Sequence, residues 1–146
     1  MNKRLTLLRH AHTLEDPYDD FNRELSSQVI IQAQDIATEL SQSTIDYIVH
    51  SSAKRTTKTA GIIGKQLGIA PISDDVLYQA SISDYHNIIS NLPSCNHALL
   101  VGHNPIISQL CSVLLHSNIQ LNPCEMKNFD LSITRWSDFT KIIHSF

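Results

Sequence analysis

Short apolar runs alternate with helix-spaced segments along most of this chain, and that alternation constrains its fold more than any other feature. Lys3 to Arg9 reads as a short buried strand, and Ala11 to Arg23, rich in Asp and carrying Pro17, reads as a long loop. Ser26 or Ser27 is placed to cap a helix running to about Gln42, because Val29, Ala33, Ile36, Ala37 and Leu40 recur at helical spacing. Asp46 to Ser51 reads as a second strand. Ser51 or Ser52 is then expected to cap a helix through Ala53, Thr59, Ile62, Ile63 and Leu67, with Gly68 as its stop. Pro71 to Leu77 is a weaker strand, Ser83 to Asn91 a short helix, and His97 to Gly102 a strongly apolar strand. Pro105 is expected in the first turn of a helix bearing Ile106, Ile107, Leu110, Val113 and Leu114. Phe129 to Trp136 and Lys141 to His144 read as closing strands, a hairpin or edge pair.

Strands that alternate with helices predict an α/β fold: a three-layer α/β/α sandwich around a mostly parallel sheet. The 146 residues are expected to form one domain, 1–146, with enough chain to bury a core unaided. A net charge of −3 gives no general attraction to nucleic acid or anionic membrane, so neither is an expected partner. No apolar run approaches the length of a membrane span, and Leu5 to Leu8 is too short for a signal-peptide core, which points to a cytoplasmic protein. Cys95, Cys111 and Cys124 are odd in number and widely spaced, as suits free thiols used as filler rather than a disulfide framework.

Parallel sheets bind ligands beyond the carboxyl ends of their strands, where apolar or turn residues are expected unless something functional sits there. Here those ends carry charge. The first strand ends in Arg9 and His10, the second runs into the helix bearing Arg55, and the strand from His97 ends in Gly102, His103 and Asn104. Two guanidinium forks, two imidazoles and the N-termini of helices on one rim form an anion site, and phosphate is its natural ligand. Beside Arg9, His10 is expected to remain a neutral imidazole able to attack phosphorus, provided a backbone carbonyl holds its other ring nitrogen.

These residues fall in motifs that resemble the histidine phosphatase, or phosphoglycerate mutase-like, superfamily. Leu8-Arg9-His10-Ala11 is similar to its signature, and Asp20-Phe21-Asn22-Arg23-Glu24-Leu25-Ser26 resembles the D-x-D-R-P-L-T segment of its short SixA-type phosphohistidine phosphatases. The segment Ser51 to Ala60 resembles S-P-x-x-R-x-x-Q-T-A, Leu77 to Ser81 resembles L-Y-x-A-S, and Val101-Gly102-His103-Asn104-Pro105 matches V-G-H-N-P. The resemblance implies that His10 becomes phosphohistidine while Arg9, Arg55 and His103 hold the phosphoryl oxygens, with Asn104 as a further phosphate-binding residue. It implies no cofactor and no metal. His12, Asp20, Arg23 and Gln79 are expected on the substrate rim. The expected substrate is a phosphorylated protein or a small phosphorylated molecule, and a monomer is expected.

Within the resemblance, Asn22, Glu24 and Ser26 depart from the pattern, as do Val29 and Ser52, the last two at positions that bear on backbone geometry. Gln79 lies in the stretch where mutase and phosphomonoesterase relatives carry an acidic proton donor. That departure favours a leaving group needing little acid help, such as the imidazole of phosphohistidine. Asp16, Asp20, Asp84 and Glu15 remain as other possible acids. A general phosphomonoesterase of the same fold is the alternative. Two further readings are a metal-dependent hydrolase using His10-Ala11-His12 with His50 or His103, and a phosphoprotein-binding module without turnover.

Overall fold

The structure, a computed structural model, describes residues 2–144. Its elements follow in the order β1 (Lys3–Arg9), α1 (Ser27–Leu40), β2 (Tyr47–Ser51), α2 (Lys54–Leu67), β3 (Ile72–Asp74), α3 (Ile82–Ser90), β4 (His97–Gly102), α4 (Ile106–Leu115), β5 (Met126–Leu131) and α5 (Phe139–His144). The strands form one sheet in the order β3-β2-β4-β1-β5. β1, β4, β2 and β3 run parallel, as helical crossovers require, and β5 lies antiparallel against β1, with Leu5 opposite Phe129. The expected mostly parallel α/β architecture is the one observed.

Because both faces of the central strands are covered, their sequences are apolar without alternation, while their side chains still alternate between two cores. Leu5, Leu7, Val49, Ala98 and Leu100 face one layer, where Tyr85, Ile89, Ile107 and Leu110 pack against them. Leu8, Ile48, Leu99 and Val101 face the other, against Ala37 and Leu40 of α1 and Ala60 and Ile63 of α2. Each of these strand leucines is fully buried, a gain of about 1.5–3 kcal/mol per side chain.

Helix boundaries follow local chemistry. Gly68 ends α2 in the left-handed region (φ 72°), as its sequence position suggested. Ser81 and Asp84 form a reciprocal capping box at the start of α3, so the helix begins at Ile82. The start of α2 differs from expectation. Its N-cap is Ala53, not Ser51 or Ser52, and the Lys54 N–H donates instead to the Phe21 carbonyl at 2.9 Å, which ties the long loop to the helix. Pro105 is the residue before α4 and not within its first turn.

Two other expectations are corrected. The strand expected over Pro71 to Leu77 is only Ile72–Asp74. The Asp74 carboxylate accepts the Val76 N–H at 3.0 Å and turns the chain into a short 3-10 segment, Asp75–Leu77. The strand expected at Lys141 to His144 is the helix α5, so β5 is the sole strand after α4 among the described residues. Phe139 is fully buried and the half-buried Ile142, three residues on, packs on the same cluster as Trp136, a helical spacing that a short apolar run does not distinguish from a strand.

Candidate active site

The carboxyl ends of β1, β2 and β4 open into a cavity of about 490 Å³. His10, one residue past β1, is buried at 7% exposure. Its Nδ1 lies 2.7 Å from the Ala11 carbonyl. A carbonyl only accepts, so Nδ1 carries the proton and Nε2 keeps its lone pair. Burial first, then the positive fields of Arg55, Arg9 and Arg23, push the His10 pKa down to about 4 against the opposing pull of the Ala11 carbonyl. At neutral pH the ring is therefore an uncharged base fixed in one tautomer.

His103 faces it, with ring centroids 5.3 Å apart. The His103 N–H donates to the Tyr85 hydroxyl at 3.1 Å, and its Nε2 lies 2.7 Å from Ser51 Oγ. The Ser51 oxygen also accepts the Ala53 N–H at 3.3 Å, and when its hydroxyl donates to His103 Nε2 the ring proton lies on Nδ1. That arrangement leaves His103 Nδ1–H as a donor. Burial, Arg55 and His10 push the His103 pKa down to about 3, so this ring too is neutral. Gly102 is required by the same packing, since a Cβ there would collide with the Tyr85 hydroxyl.

Both expected arginines line the cavity. Arg9 donates through Nη1 to the Leu121 carbonyl at 3.0 Å. Arg55, buried in the first turn of α2, donates through Nη1 to the Asp20 carbonyl at 2.7 Å and through Nη2 to the Asp20 carboxylate at 3.2 Å. Among the described residues, Arg9 Nε, Arg55 Nε and His103 Nδ1 are buried without a hydrogen-bond partner. Buried donors left unmatched are costly, and three of them on residues lining one cavity fit an oxyanion as ligand.

A model of the histidine phosphatase superfamily, branch 1, matches residues 5–93, more than half the chain. The chain belongs to the histidine phosphatase superfamily. Its fold is similar to that of a candidate phosphohistidine phosphatase SixA from Agrobacterium tumefaciens, with a TM-score of 0.81 at 24% identity over 89% of this chain and 92% of that one. A protein histidine phosphatase SixA complexed with tungstate gives 0.77 at 16% identity, covering 86% of each chain. The α-ribazole phosphatase of Shigella flexneri gives 0.75 at 16% identity, covering 90% of this chain and 92% of that one. At these identities the likeness is one of fold. No curated protein sequence matches the chain.

In this histidine phosphatase the loop between β1 and α1 forms the front wall. A bridge between Thr13 and Leu25 pinches its neck, and Thr13, Glu15, Asp20 and Arg23 line the cavity. Arg23 donates to the Leu14 carbonyl, to Asp20 and to Thr13 Oγ1, which commits its guanidinium to the loop itself. Asp20 accepts from Tyr78 Oη at 2.7 Å, from Arg55 and from Arg23. The Tyr78 hydrogen bond, followed by Arg55 and Arg23, lowers its pKa to about 2. Glu24, where the resembling motif has proline, pairs with Lys54 and Lys58 of α2.

The remaining expected residues divide. His12 lines the cavity as an exposed residue. Asn104 lines it too: one Nδ2 hydrogen donates to the Leu121 carbonyl at 3.0 Å, Oδ1 accepts from Ser108, and the second Nδ2 hydrogen is left for a ligand. It holds the same carbonyl that anchors Arg9. Gln79 is exposed and does not line the cavity. Leu77 is buried at the end of the 3-10 segment, and it is the next residue, Tyr78, that lines the cavity.

Tyr78, Thr13 and Pro123 were not singled out from sequence. Tyr78 lies one place from Gln79 inside the Leu77 to Ser81 segment, and that segment is the sequence signal for it. Asp84 is held in the α3 capping box and does not line the cavity, and Asp16 accepts the Tyr18 and Asp19 N–H groups within the loop. Burial raises the Cys111 and Cys124 thiols to about 12 and about 11, which makes them inert filler. Among the described residues no group of three His, Cys, Asp or Glu could hold a metal ion, and no helix is long and apolar enough to cross a membrane.

Proposed function

We propose that this chain is a metal-independent phosphatase that acts through a phosphohistidine on His10, with phosphohistidine in a protein or a related phosphoramidate as substrate. The observation that carries the reading is the Ala11 carbonyl on His10 Nδ1, which leaves a neutral Nε2 facing a cavity lined by Arg9 and Arg55. In the first step the Nε2 lone pair attacks phosphorus and the bond to the leaving group breaks, its electron pair leaving with that group. Water then attacks phosphorus, the P–Nε2 bond breaks, its pair returns to the ring, and phosphate departs with the proton released to solvent. Arg9, Arg55 and His103 Nδ1–H are placed to stabilise the charge on the nonbridging oxygens, which is the main catalytic demand of phosphoryl transfer.

The substrate class rests on a missing proton donor: Gln79 lies outside the cavity, and Asp20 within it is a carboxylate. With a pKa of about 2, Asp20 is ionised at neutral pH and cannot protonate a leaving group. A phosphoramidate, whose nitrogen can take its proton from solvent, suits such a site. The tungstate complex of the SixA relative supports an oxyanion pocket in a protein of this fold.

One observation favours a second reading, a phosphomonoesterase: Glu15 is an exposed carboxyl that also lines the cavity. Both readings are tested by offering wild type and Glu15→Gln a phosphohistidine protein, phosphoramidate, an aryl phosphate and an alkyl phosphate, with chelator present. The first predicts turnover of the phosphoramidates far above the alkyl ester and indifference to Glu15→Gln. Efficient alkyl ester turnover lost in Glu15→Gln would establish the second.

A further inference from the structure

Arg9 and Arg55 share an arrangement that the mechanism alone does not require. Each is held at its Nη end by an acceptor, and each keeps a buried Nε without a partner. For Arg9 the anchor is the Leu121 carbonyl at 3.0 Å. For Arg55 both contacts come from one residue of the front loop: the Asp20 carbonyl on Nη1 and the Asp20 carboxylate on Nη2. A guanidinium offers two forks, one across Nη1 and Nη2 and one across Nε and an Nη. Asp20 occupies the first. Tyr78 fixes the carboxylate by donating its hydroxyl at 2.7 Å, and its ring lies 6.0 Å from the Arg55 guanidinium carbon.

We propose that Asp20 is a positioning residue for phosphoryl transfer: held by Tyr78, it takes the end-on fork of Arg55 and leaves the Nε edge for the phosphoryl group on its way to His10. The inference rests on the phosphatase reading. It gives the front loop a share in catalysis that its exposure conceals, because Asp20 makes no hydrogen bond to His10 and reaches the rear of the cavity through Arg55. It also accounts for a carboxylate at the edge of an anion site, where its charge alone would oppose binding. A fixed guanidinium stabilises the transition state more than a mobile one bearing the same charge.

The test compares wild type with Asp20→Asn, Asp20→Glu, Arg55→Lys and the Asp20→Asn/Arg55→Lys double variant on phosphoramidate, an aryl phosphate and an alkyl phosphate. Asp20→Asn should lower kcat by about 10- to 100-fold, by the same factor on every substrate turned over, with KM changed by less than about 3-fold. In the double variant the Asp20 substitution should add less than about 3-fold to the loss from Arg55→Lys, because the two residues act as one unit. Asp20→Glu should recover part of the rate, and the thermal midpoint of Asp20→Asn should stay near that of wild type. A loss confined to the alkyl ester would make Asp20 a general acid and overturn the proposal, as would additive losses or an unchanged kcat. Vanadate and inorganic phosphate binding supply a readout that needs no turnover: Asp20→Asn should weaken vanadate about 10-fold and phosphate less than about 3-fold. If wild type hydrolyses nothing, the phosphatase reading fails, while equal effects on the two anions would remove the positioning role by itself.

Discussion

The rear and the front of the cavity are built in opposite ways. The rear carries His10, Arg55 and His103, all buried, on or beside elements locked into the sheet, with partners such as the Ala11 carbonyl, Ser51 and Tyr85. The front is a loop whose Leu14, Tyr18 and Phe21 are exposed, Tyr18 almost completely, and whose internal order comes from carboxylates accepting nearby N–H groups. On the proposed reading, chemistry that must be exact to a fraction of an ångström falls on the part locked into the sheet, and the exposed loop is left to meet the substrate's carrier. Asp20 joins the two at a cavity arginine, Arg55.

That contrast is broken most severely at the rear. His10→Ala should reduce turnover by at least about 1,000-fold and abolish acid-labile phosphate on the protein, since among the described residues no other buried imidazole lining the cavity has an Nε2 free of a partner; residual activity within about 10-fold of wild type would refute the nucleophile. Arg55→Ala should cost about 100- to 1,000-fold in kcat, comparable to removing one preorganised donor to a developing oxyanion. Gly102→Ala should lower both stability and rate, by about 1–3 kcal/mol in stability, because the Tyr85 hydroxyl must move and the His103 N–H loses its acceptor. At the front, Tyr18→Ala should leave small-substrate turnover within about 2-fold, with any effect confined to protein substrates.

Acid sharpens the comparison. His10 goes from an ordinary histidine pKa near 6.5 to about 4 on folding, so between those values the unfolded chain binds the proton and the native protein does not. The stability contributed by keeping the ring neutral is therefore complete above about pH 6.5 and is lost as pH falls toward 4. His103, at about 3, acts in the same direction. For kcat the expected profile is flat from about pH 7 down to about 5, with no loss centred on 6.5, measured alongside a thermal midpoint that declines over the same range.

The central strands were legible because burial on both faces makes them apolar, and the rear of the cavity was legible because charge at a parallel strand's carboxyl end has few structural uses. The closing segment was not. Four residues at Lys141 to His144 fit either period, and only the packing of Phe139 and Ile142 beside Trp136 decides for a helix. The front wall was illegible for a different reason. The partners that define Asp20 lie 35 and 58 residues away, and whether Tyr78 or Gln79 lines the cavity depends on a 3-10 turn set by Asp74. Local pattern carries no record of such pairings.

The hydrogen bond from His10 Nδ1 to the Ala11 carbonyl also dictates regiochemistry. A phosphoryl group accepted by this ring is confined to the nitrogen remote from the Cβ, so the enzyme-bound isomer would be tele-phosphohistidine (3-phosphohistidine) and not the pros form. The two isomers differ in their phosphorus resonance, so on the proposed mechanism one backbone carbonyl determines the chemical identity of the intermediate.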